Sequence, residues 1–263
     1  MMALHHSMRI SKSCFNPAIT RWTSIAVSQR QLAIESYRSI GRKSIIEIKA
    51  LKESHRADAV ESLTDVFWRH SPMLKHLGAS YECVKHLKEI AVNRSIHDGV
   101  GTIAIDTEKN KIAGVLTAFL KTHERDGSED YGDSHLLRPV MPYLDLVAVL
   151  RARFYQLDEV KTEQSRGSMF LEIYQVGVGD DYHGHDLTPR MTFNSFKRGK
   201  LKGAKFAYSE MTNPITHNIA ARMPHVVQIG DMIKYAAFDV DGQKPLADMQ
   251  AECRGAIIVM TKL

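Results

Sequence analysis

A long apolar strand followed by a turn and a helix constrains the fold of this chain more than any other segment. Residues 168–178 form a nearly continuous apolar run, which predicts a buried strand. Residues 179–186 contain two glycines and predict a turn, and residues 187–201 predict a basic-ended helix with Pro189 in its first turn, where proline is tolerated. Backbone N–H groups and the positive end of the helix dipole meet at such a turn, so the segment favours an anion site.

Hydrophobic periodicity predicts the other elements of the chain. Strands are expected at 44–51, 101–106, 112–119, 168–178, 205–210, 232–238 and 255–260. Helices are expected at 53–68, after a Ser80 cap, and at 144–157, 187–201 and 215–223. The order predicts one mixed α/β domain over 44–263, with about seven strands in a central sheet flanked by helices.

Two common phosphate-binding motifs fail at the central turn. Gly179 and Gly184 have the spacing of a P-loop, but His185 and Asp186 replace its lysine and hydroxyl residue. A dinucleotide fingerprint fails as well, because Tyr182 stands where the third glycine belongs. The His and Asp residues of this turn do not have a zinc-ligand spacing, so no metal site is predicted.

A third pattern matches this segment better. The strand FLEIYQVGV at 170–178 and the turn YHGHDL at 182–187 resemble motif A of the GNAT N-acetyltransferase superfamily. The segment MTNPITHNIAARM at 211–223, the strand IAGVL at 112–116 and the ending GAIIVMTKL at 255–263 resemble later parts of the arylalkylamine (dopamine) N-acetyltransferase-like branch of animals. The resemblance covers about residues 44–263 and implies a GNAT-like fold, acetyl-coenzyme A as cofactor and a small amine as acceptor, with an arylalkylamine as one candidate.

The resemblance also implies which residues bind the coenzyme. They lie at the end of the strand, in the turn and in the segment after the next strand: Val176, Gly177, Val178, His183, Gly184, His185, Asp186, Leu187, Thr188, Asn213 and Asn218. The chain departs from the family at His183, Asp186 and Thr188. A carboxylate at Asp186 would repel a pyrophosphate by roughly a kcal/mol unless it turns outward and caps the helix.

Transfer of an acetyl group to an amine needs a base, because the amine must be neutral. Glu172 is the predicted general base, and strict alternation would place it on one strand face with Tyr174 and Val176. An ion pair with a nearby Lys or Arg is the alternative for Glu172. His70 is a second candidate base, because Ser71 occupies the place of the glutamate in the family's Glu-Pro pair.

The general acid stays open between two residues. The family's usual tyrosine after the fifth strand is missing, and His225 is the nearest titratable group. Tyr174 is the alternative donor. The departures at Ser71, Asp186 and Pro224 leave a second hypothesis, a catalytically weak or inactive acyl-CoA-binding protein. A third is an unrelated α/β domain that matches motif A by chance.

The positive charge is concentrated in the first 43 residues. The chain has a net charge of +5, and this segment alone carries seven basic side chains against one acid, Glu35. Its Arg-rich, Ser-rich composition predicts a mitochondrial presequence, with a simple basic extension of a cytoplasmic protein as the alternative. The remaining chain is nearly neutral, which argues against a nucleic-acid partner. The three cysteines include no CxxC pair, and no apolar stretch is long enough to span a membrane.

Overall fold

A seven-stranded mixed sheet organises the described residues of the computed structural model, which are 46–122, 135–249 and 253–263. The order across the sheet is β1-β2-β3-β4-β5-β7-β6, and every neighbouring pair is antiparallel except the parallel pair β4 and β5. The strands are β1 (Ile46–Ala50), β2 (Thr102–Asp106), β3 (Lys111–Lys121), β4 (Met169–Val178), β5 (Ala204–Met211), β6 (Val227–Lys234) and β7 (Gly255–Lys262).

Helices cover both faces of this sheet. They are α1 (Arg56–His70), α2 (Pro72–His76), α3 (Tyr81–Asp98), α4 (Met141–Tyr155), α5 (Asp158–Ser165), α6 (Leu187–Leu201) and α7 (Pro214–Ala220). Helix α6 buries Leu187 and Met191 against Leu116 and Ile173 on one face. On the other face α1 and α3 pack over β2 and β3, and α4 packs over β4, β5 and β7. The predicted fold class, a mixed α/β sheet flanked by helices, is confirmed.

Local signals in the sequence explain how several helices begin and end. The hydroxyl of Ser80 accepts a hydrogen bond from Cys83 N at 3.1 Å, so the predicted cap of α3 is confirmed. Gly99 ends the same helix in the left-handed conformation, with φ of 66°. Ser71 Oγ accepts from Leu74 N at 3.3 Å and caps α2. The Ser71-Pro72 pair therefore starts a short helix in this chain.

Three elements differ from their predictions. Helices α2 and α5 were not predicted, and α5 buries only Val160, so it lacks the apolar period that marks a helix. Strand β6 lies at Val227–Lys234, whereas the apolar residues had placed it at 232–238. A register irregularity between Ile229 and Ile233 interrupts its alternation, so the strand lacks the period-two pattern of apolar residues that predicts a strand.

The predicted basic extension at 1–43 lies outside the described ranges. Among the described helices, none is long and apolar enough to cross a membrane.

Candidate functional site

The two parallel strands in the middle of the sheet separate before either of them ends. Their pairing runs from Met169 opposite Ala204 to Glu172 opposite Tyr208. Strand β4 then continues to Val178 and β5 to Met211 without further ladder pairing between them. At the point of separation, Ser209 Oγ donates to Ile173 O at 2.8 Å. The edges of both strands beyond this bond lie along a gap whose backbone groups can bind a ligand.

A β-bulge in β4 shifts the side chains next to this gap. Thr117 pairs with Gln175 and Ala118 with Ile173, which leaves Tyr174 as the extra residue. Thr117 and Phe119 of β3 point to the same face of the sheet because they are two residues apart. Their partners, Gln175 and Glu172, therefore share that face. The predicted common face for Glu172 and Val176 is therefore wrong. Bulges are frequent beside active sites because they redirect side chains.

Four buried ionic side chains form what we call the charge cluster: Lys121 of β3, Glu172 of β4, Glu210 of β5 and Arg151 of α4. Glu172 is completely buried. Its carboxylate accepts a hydrogen bond from Arg151 Nη2 at 2.6 Å and contacts Lys121 Nζ at 3.1 Å. Arg151 Nε also donates to Glu210 Oε1 at 3.1 Å. Each carboxylate thus contacts a cation, as buried charges require. The ion-pair environment that was the alternative for Glu172 is present, and its catalytic role stays a prediction.

Glu210 is a functional candidate that the sequence analysis missed. Burial raises the pKa of its carboxyl from 4.5 to about 7, with Arg151 opposing the rise and Glu172 adding to it. A glutamate that titrates near neutral pH can accept a proton from an amine at physiological pH. A signal was available, since Glu210 is an acid in a largely apolar strand, as Glu172 is.

Two tyrosines complete the surroundings of the cluster. Tyr208 donates to Glu172 at 3.5 Å, and its hydroxyl lies 3.3 Å from that of Tyr155. Burial raises the pKa of Tyr155 to about 12 and that of Tyr208 well above 10.0. Both phenols are therefore neutral donors at physiological pH. The ring of Phe154 stacks on Tyr208 at 4.2 Å between centroids, which holds the phenol in place.

The turn after β4 presents backbone donors at the start of α6. A short 3-10 turn at Asp180–Tyr182 is followed by Gly184 and Asp186, both with positive φ, at 81° and 53°. The hydroxyl of Tyr182 donates to Asp106 at 3.0 Å and anchors the turn on β2. Four N–H groups of the turn make no hydrogen bond within the described part of the chain. They belong to Gly184, Asp186, Leu187 and Thr188. Such donors at a helix N-terminus can hold a phosphate.

The carboxylates of the turn differ in their partners. Asp186 is exposed at the N-cap position of α6 but makes no capping bond, so the expected role as a cap is not found. Asp180 is bound by Arg69 Nη1 at 2.8 Å and by His70 Nε2 at 2.9 Å. His183 lies 3.9 Å from the same carboxylate. The structure therefore brings together the predicted base His70 and the predicted coenzyme residue His183, at half-exposed positions between α1 and the turn.

Three other predicted site residues, Tyr174, Gly177 and Asn213, have defined contacts in the structure. Tyr174 packs against Phe119, with 4.8 Å between ring centroids. Gly177 allows α1 to approach β4 closely, because a Cβ there would lie 2.9 Å from Leu63 Cδ2. Asn213 caps α7 by accepting from Ile215 N at 2.9 Å.

Two predicted residues do not join the cluster. Asn218 is an exposed residue of α7. His225 lies beyond α7, which ends at Ala220, and has a positive φ of 64°. Within the described ranges no group of three or more His, Cys, Asp or Glu side chains is arranged to hold a metal ion.

No protein-family profile matches the sequence, and no curated protein matches it. Solved structures do match it. Arylalkylamine N-acetyltransferase 2 from Aedes aegypti superposes with a TM-score of 0.66 at 14% identity, covering 82% of this chain and 98% of that one. The polyamine N-acetyltransferase of Drosophila melanogaster, which catalyses the formation of N-acetylagmatine, gives 0.64 at 14% identity over 83% and 100%. The C-terminal condensation domain of Ebony, in complex with beta-alanyl-dopamine, gives 0.65 at 15% over 83% and 99%.

The chain thus has the fold of the GNAT acetyltransferases. Arylalkylamine N-acetyltransferases are among its structural neighbours, as the resemblance of its motifs had predicted. At these identities the likeness establishes the fold alone.

Proposed function

We propose that this protein transfers an acetyl group from acetyl-coenzyme A to the amine of a small molecule. The observation that carries the proposal is the position of the four unpaired turn N–H groups beside the gap between β4 and β5. A phosphate-binding turn at the end of an open strand edge suits a long ligand with a pyrophosphate at one end. The charge cluster on the neighbouring strands supplies candidate groups for proton transfer.

The turn fits the anionic part of the coenzyme. N–H groups at Gly184 and from Asp186 to Thr188 would donate to the pyrophosphate, and the α6 dipole would add to the attraction. Gly184 has open space where a Cβ would stand, so a ligand can approach its backbone. The carboxylate of Asp186 opposes this binding, and we expect weaker affinity than a turn without that charge would have.

The extended part of the coenzyme would follow β4 beyond its separation from β5. Main-chain N–H groups from Val176 to Val178 lie on the stretch of β4 that has left β5. One of them would stabilise the negative charge that develops on the thioester carbonyl oxygen. Bound acetyl-coenzyme A would supply the activated acetyl group.

The charge cluster contains two candidate bases for the amine proton. Glu210 fits the task because burial places the pKa of its carboxyl at about 7 and because β5 has left β4 at that residue. Glu172 contacts both Lys121 and Arg151, which suits it to balance their charges. We therefore propose Glu210 as the proton acceptor, with Glu172 as the carboxylate to test against it.

The proposed reaction balances with one base and one acid. Glu210 takes a proton from the ammonium form of the acceptor, and the free amine nitrogen forms the new N–C bond as the C–S bond breaks. The departing sulfur takes a proton from an acid, for which Tyr174 and His225 remain the two candidates, and the second proton that the nitrogen loses as the amide forms returns to that acid. The product is an N-acetylated amine and coenzyme A as a thiol.

The acceptor class is proposed from the neighbours. Their names specify arylalkylamines, a polyamine enzyme that forms N-acetylagmatine, and a condensation domain with bound beta-alanyl-dopamine. The compounds in these names, arylalkylamines, N-acetylagmatine and beta-alanyl-dopamine, are all small molecules with an amine or amide nitrogen. We propose a small amine, with arylalkylamines and agmatine as the first acceptors to test.

A second candidate function is a GNAT-fold protein that binds acyl-coenzyme A without turnover. It is supported by Ser71, which caps α2 in place of the family's glutamate, and by the acidic turn. Calorimetry with coenzyme A, followed by a thiol-release assay with an amine panel, separates the two. Binding with turnover supports the enzyme, binding without turnover over the panel supports the second function, and absence of binding contradicts both.

A further inference from the structure

A groove of about 540 Å³ lies on the side of α6 that is remote from the phosphate-binding turn. We call it the cationic groove, and its polar lining consists of Lys49, Lys52, Ser54, His55 and Arg198. These side chains come from β1, from the short 3-10 segment that follows it, and from the C-terminal part of α6.

The lining presents hydrogen-bond donors almost exclusively. Lys52 N donates to His55 Nδ1 at 3.2 Å, so in the neutral imidazole the proton is carried by Nε2, which is then a donor. The two lysines contribute ammonium groups and Ser54 a hydroxyl. A ligand of this groove must therefore offer several acceptor oxygens.

Arg198 provides the most specific observation. Its Nε is buried and makes no hydrogen bond within the described ranges. A buried donor without a partner is uncommon in a folded protein. The same side chain lines the groove, so the guanidinium of Arg198 borders the space that an anion would occupy.

Nearby carboxylates do not neutralise the groove. Glu47 pairs with Lys49 at 2.7 Å, and Glu53 pairs with Arg56 at 2.8 Å. Neither glutamate lines the groove, and Lys52, His55 and Arg198 form no ion pair within the described part of the chain. The groove thus keeps an excess of positive charge.

We propose that the cationic groove binds a small phosphate-bearing anion at a site separate from the proposed coenzyme site. An arginine with adjacent lysines is a combination that recognises phosphate oxygens. Arg198 lies about 16 Å along the α6 axis from Leu187 at the turn. The two sites can therefore be occupied together, and the groove does not depend on coenzyme binding.

The test is a titration of the ¹⁵N-labelled full chain with inorganic phosphate, observed at the Nε–Hε resonance of Arg198. Absence of that resonance in Arg198→Met assigns it. We expect a saturable shift of the resonance at millimolar phosphate, and a dissociation constant at least tenfold larger in Lys52→Met. Lys200→Met is the matched control, because Lys200 shares the last turn of α6 and its helix dipole but does not line the groove.

Competition with coenzyme A separates the possible sources of the phosphate. If the groove is separate, saturating coenzyme A leaves the phosphate-induced shift of Arg198 unchanged. Complete competition would place both anions at one site and overturn the proposal. An Arg198 resonance that does not move, or equal affinities in Lys52→Met and Lys200→Met, would also overturn it. Failure of coenzyme A to bind would contradict the proposed function, but the phosphate titration of Arg198 would still test the groove by itself.

Discussion

The guanidinium of Arg151 donates to Glu210 at 3.1 Å from Nε while its Nη2 donates to Glu172 at 2.6 Å. One arginine of α4 therefore joins two parallel strands near the place where their pairing stops. The two carboxylates have different surroundings, because only Glu172 also contacts Lys121. This difference separates their expected roles in catalysis and in stability.

Replacing Glu210 tests the proposed base. Glu210→Gln keeps the shape of the side chain but cannot accept a proton, so we expect kcat to fall by about 10²-fold or more. In the unchanged protein kcat/KM should rise with pH through about 7, the pKa of the Glu210 carboxyl, because the base must be ionised. That limb should disappear in the variant. Steady-state rates across the pH range are the measurement, and an unaltered profile would remove Glu210 from the mechanism.

The same residue predicts a pH dependence of folding stability. The pKa of Glu210 is raised in the folded state, from 4.5 to about 7, so folding binds a proton within that window. Its stabilising contribution is present below about 4.5 and is lost as the pH rises through about 7. Glu210→Gln should lose this component of the pH dependence. Urea unfolding at several pH values between 4 and 8 measures it, with Glu61→Gln on the exposed face of α1 as the control.

Replacing Glu172 tests its charge-balancing position. Glu172→Gln leaves Lys121 and Arg151 buried with one carboxylate fewer, and we expect the free energy of unfolding to fall by about 3–5 kcal/mol. Denaturant unfolding at pH 8 gives the value. The exposed Glu61→Gln should change it by no more than about 0.5 kcal/mol. Equal stabilities of the two variants would show that the cluster does not need this charge.

Neutralising Asp186 should strengthen coenzyme binding. Asn tolerates the left-handed backbone that Asp186 adopts, so Asp186→Asn removes the charge without new strain. Loss of a repulsion of roughly 1 kcal/mol corresponds to about a fivefold lower dissociation constant for coenzyme A. Calorimetry on the variant and on Asp58→Asn, an exposed residue of α1, is the comparison. Weaker binding in Asp186→Asn would mean that the carboxylate contributes to the site.

The basic extension at residues 1–43 carries the remaining prediction. Its composition indicates a mitochondrial presequence, which would be absent from the mature protein. N-terminal sequencing of protein purified from its native source should then find a start well beyond Met1. Molecules that mostly retain Met1 or Met2 would contradict targeting by this segment.

Much of the fold was predictable because its signals are local. The apolar run of β4, the glycine turn and the periodic face of α6 all lie within one continuous segment, and so does the Ser80 cap of α3. The register of β4 was less accessible. A bulge at Tyr174 depends on which residue of β3 it faces, and no single-strand pattern contains that information.

The site was only partly predictable for the same reason. Glu172 was identified as an unusual acid in an apolar strand, but its partners Lys121 and Arg151 come from β3 and α4. Glu210 acquires its raised pKa from burial against those elements. The contact of His70 with Asp180 likewise joins α1 to a distant turn, so tertiary structure alone reveals it.

The most direct test of the central claim follows the turn amides of the ¹⁵N-labelled protein during a titration with coenzyme A. If the coenzyme binds as proposed, the amide resonances of Gly184, Asp186, Leu187 and Thr188 shift together and saturate with a single dissociation constant. The account would be contradicted if these resonances stay in place. This holds whether calorimetry detects no binding of coenzyme A or detects binding that leaves the turn amides unaffected.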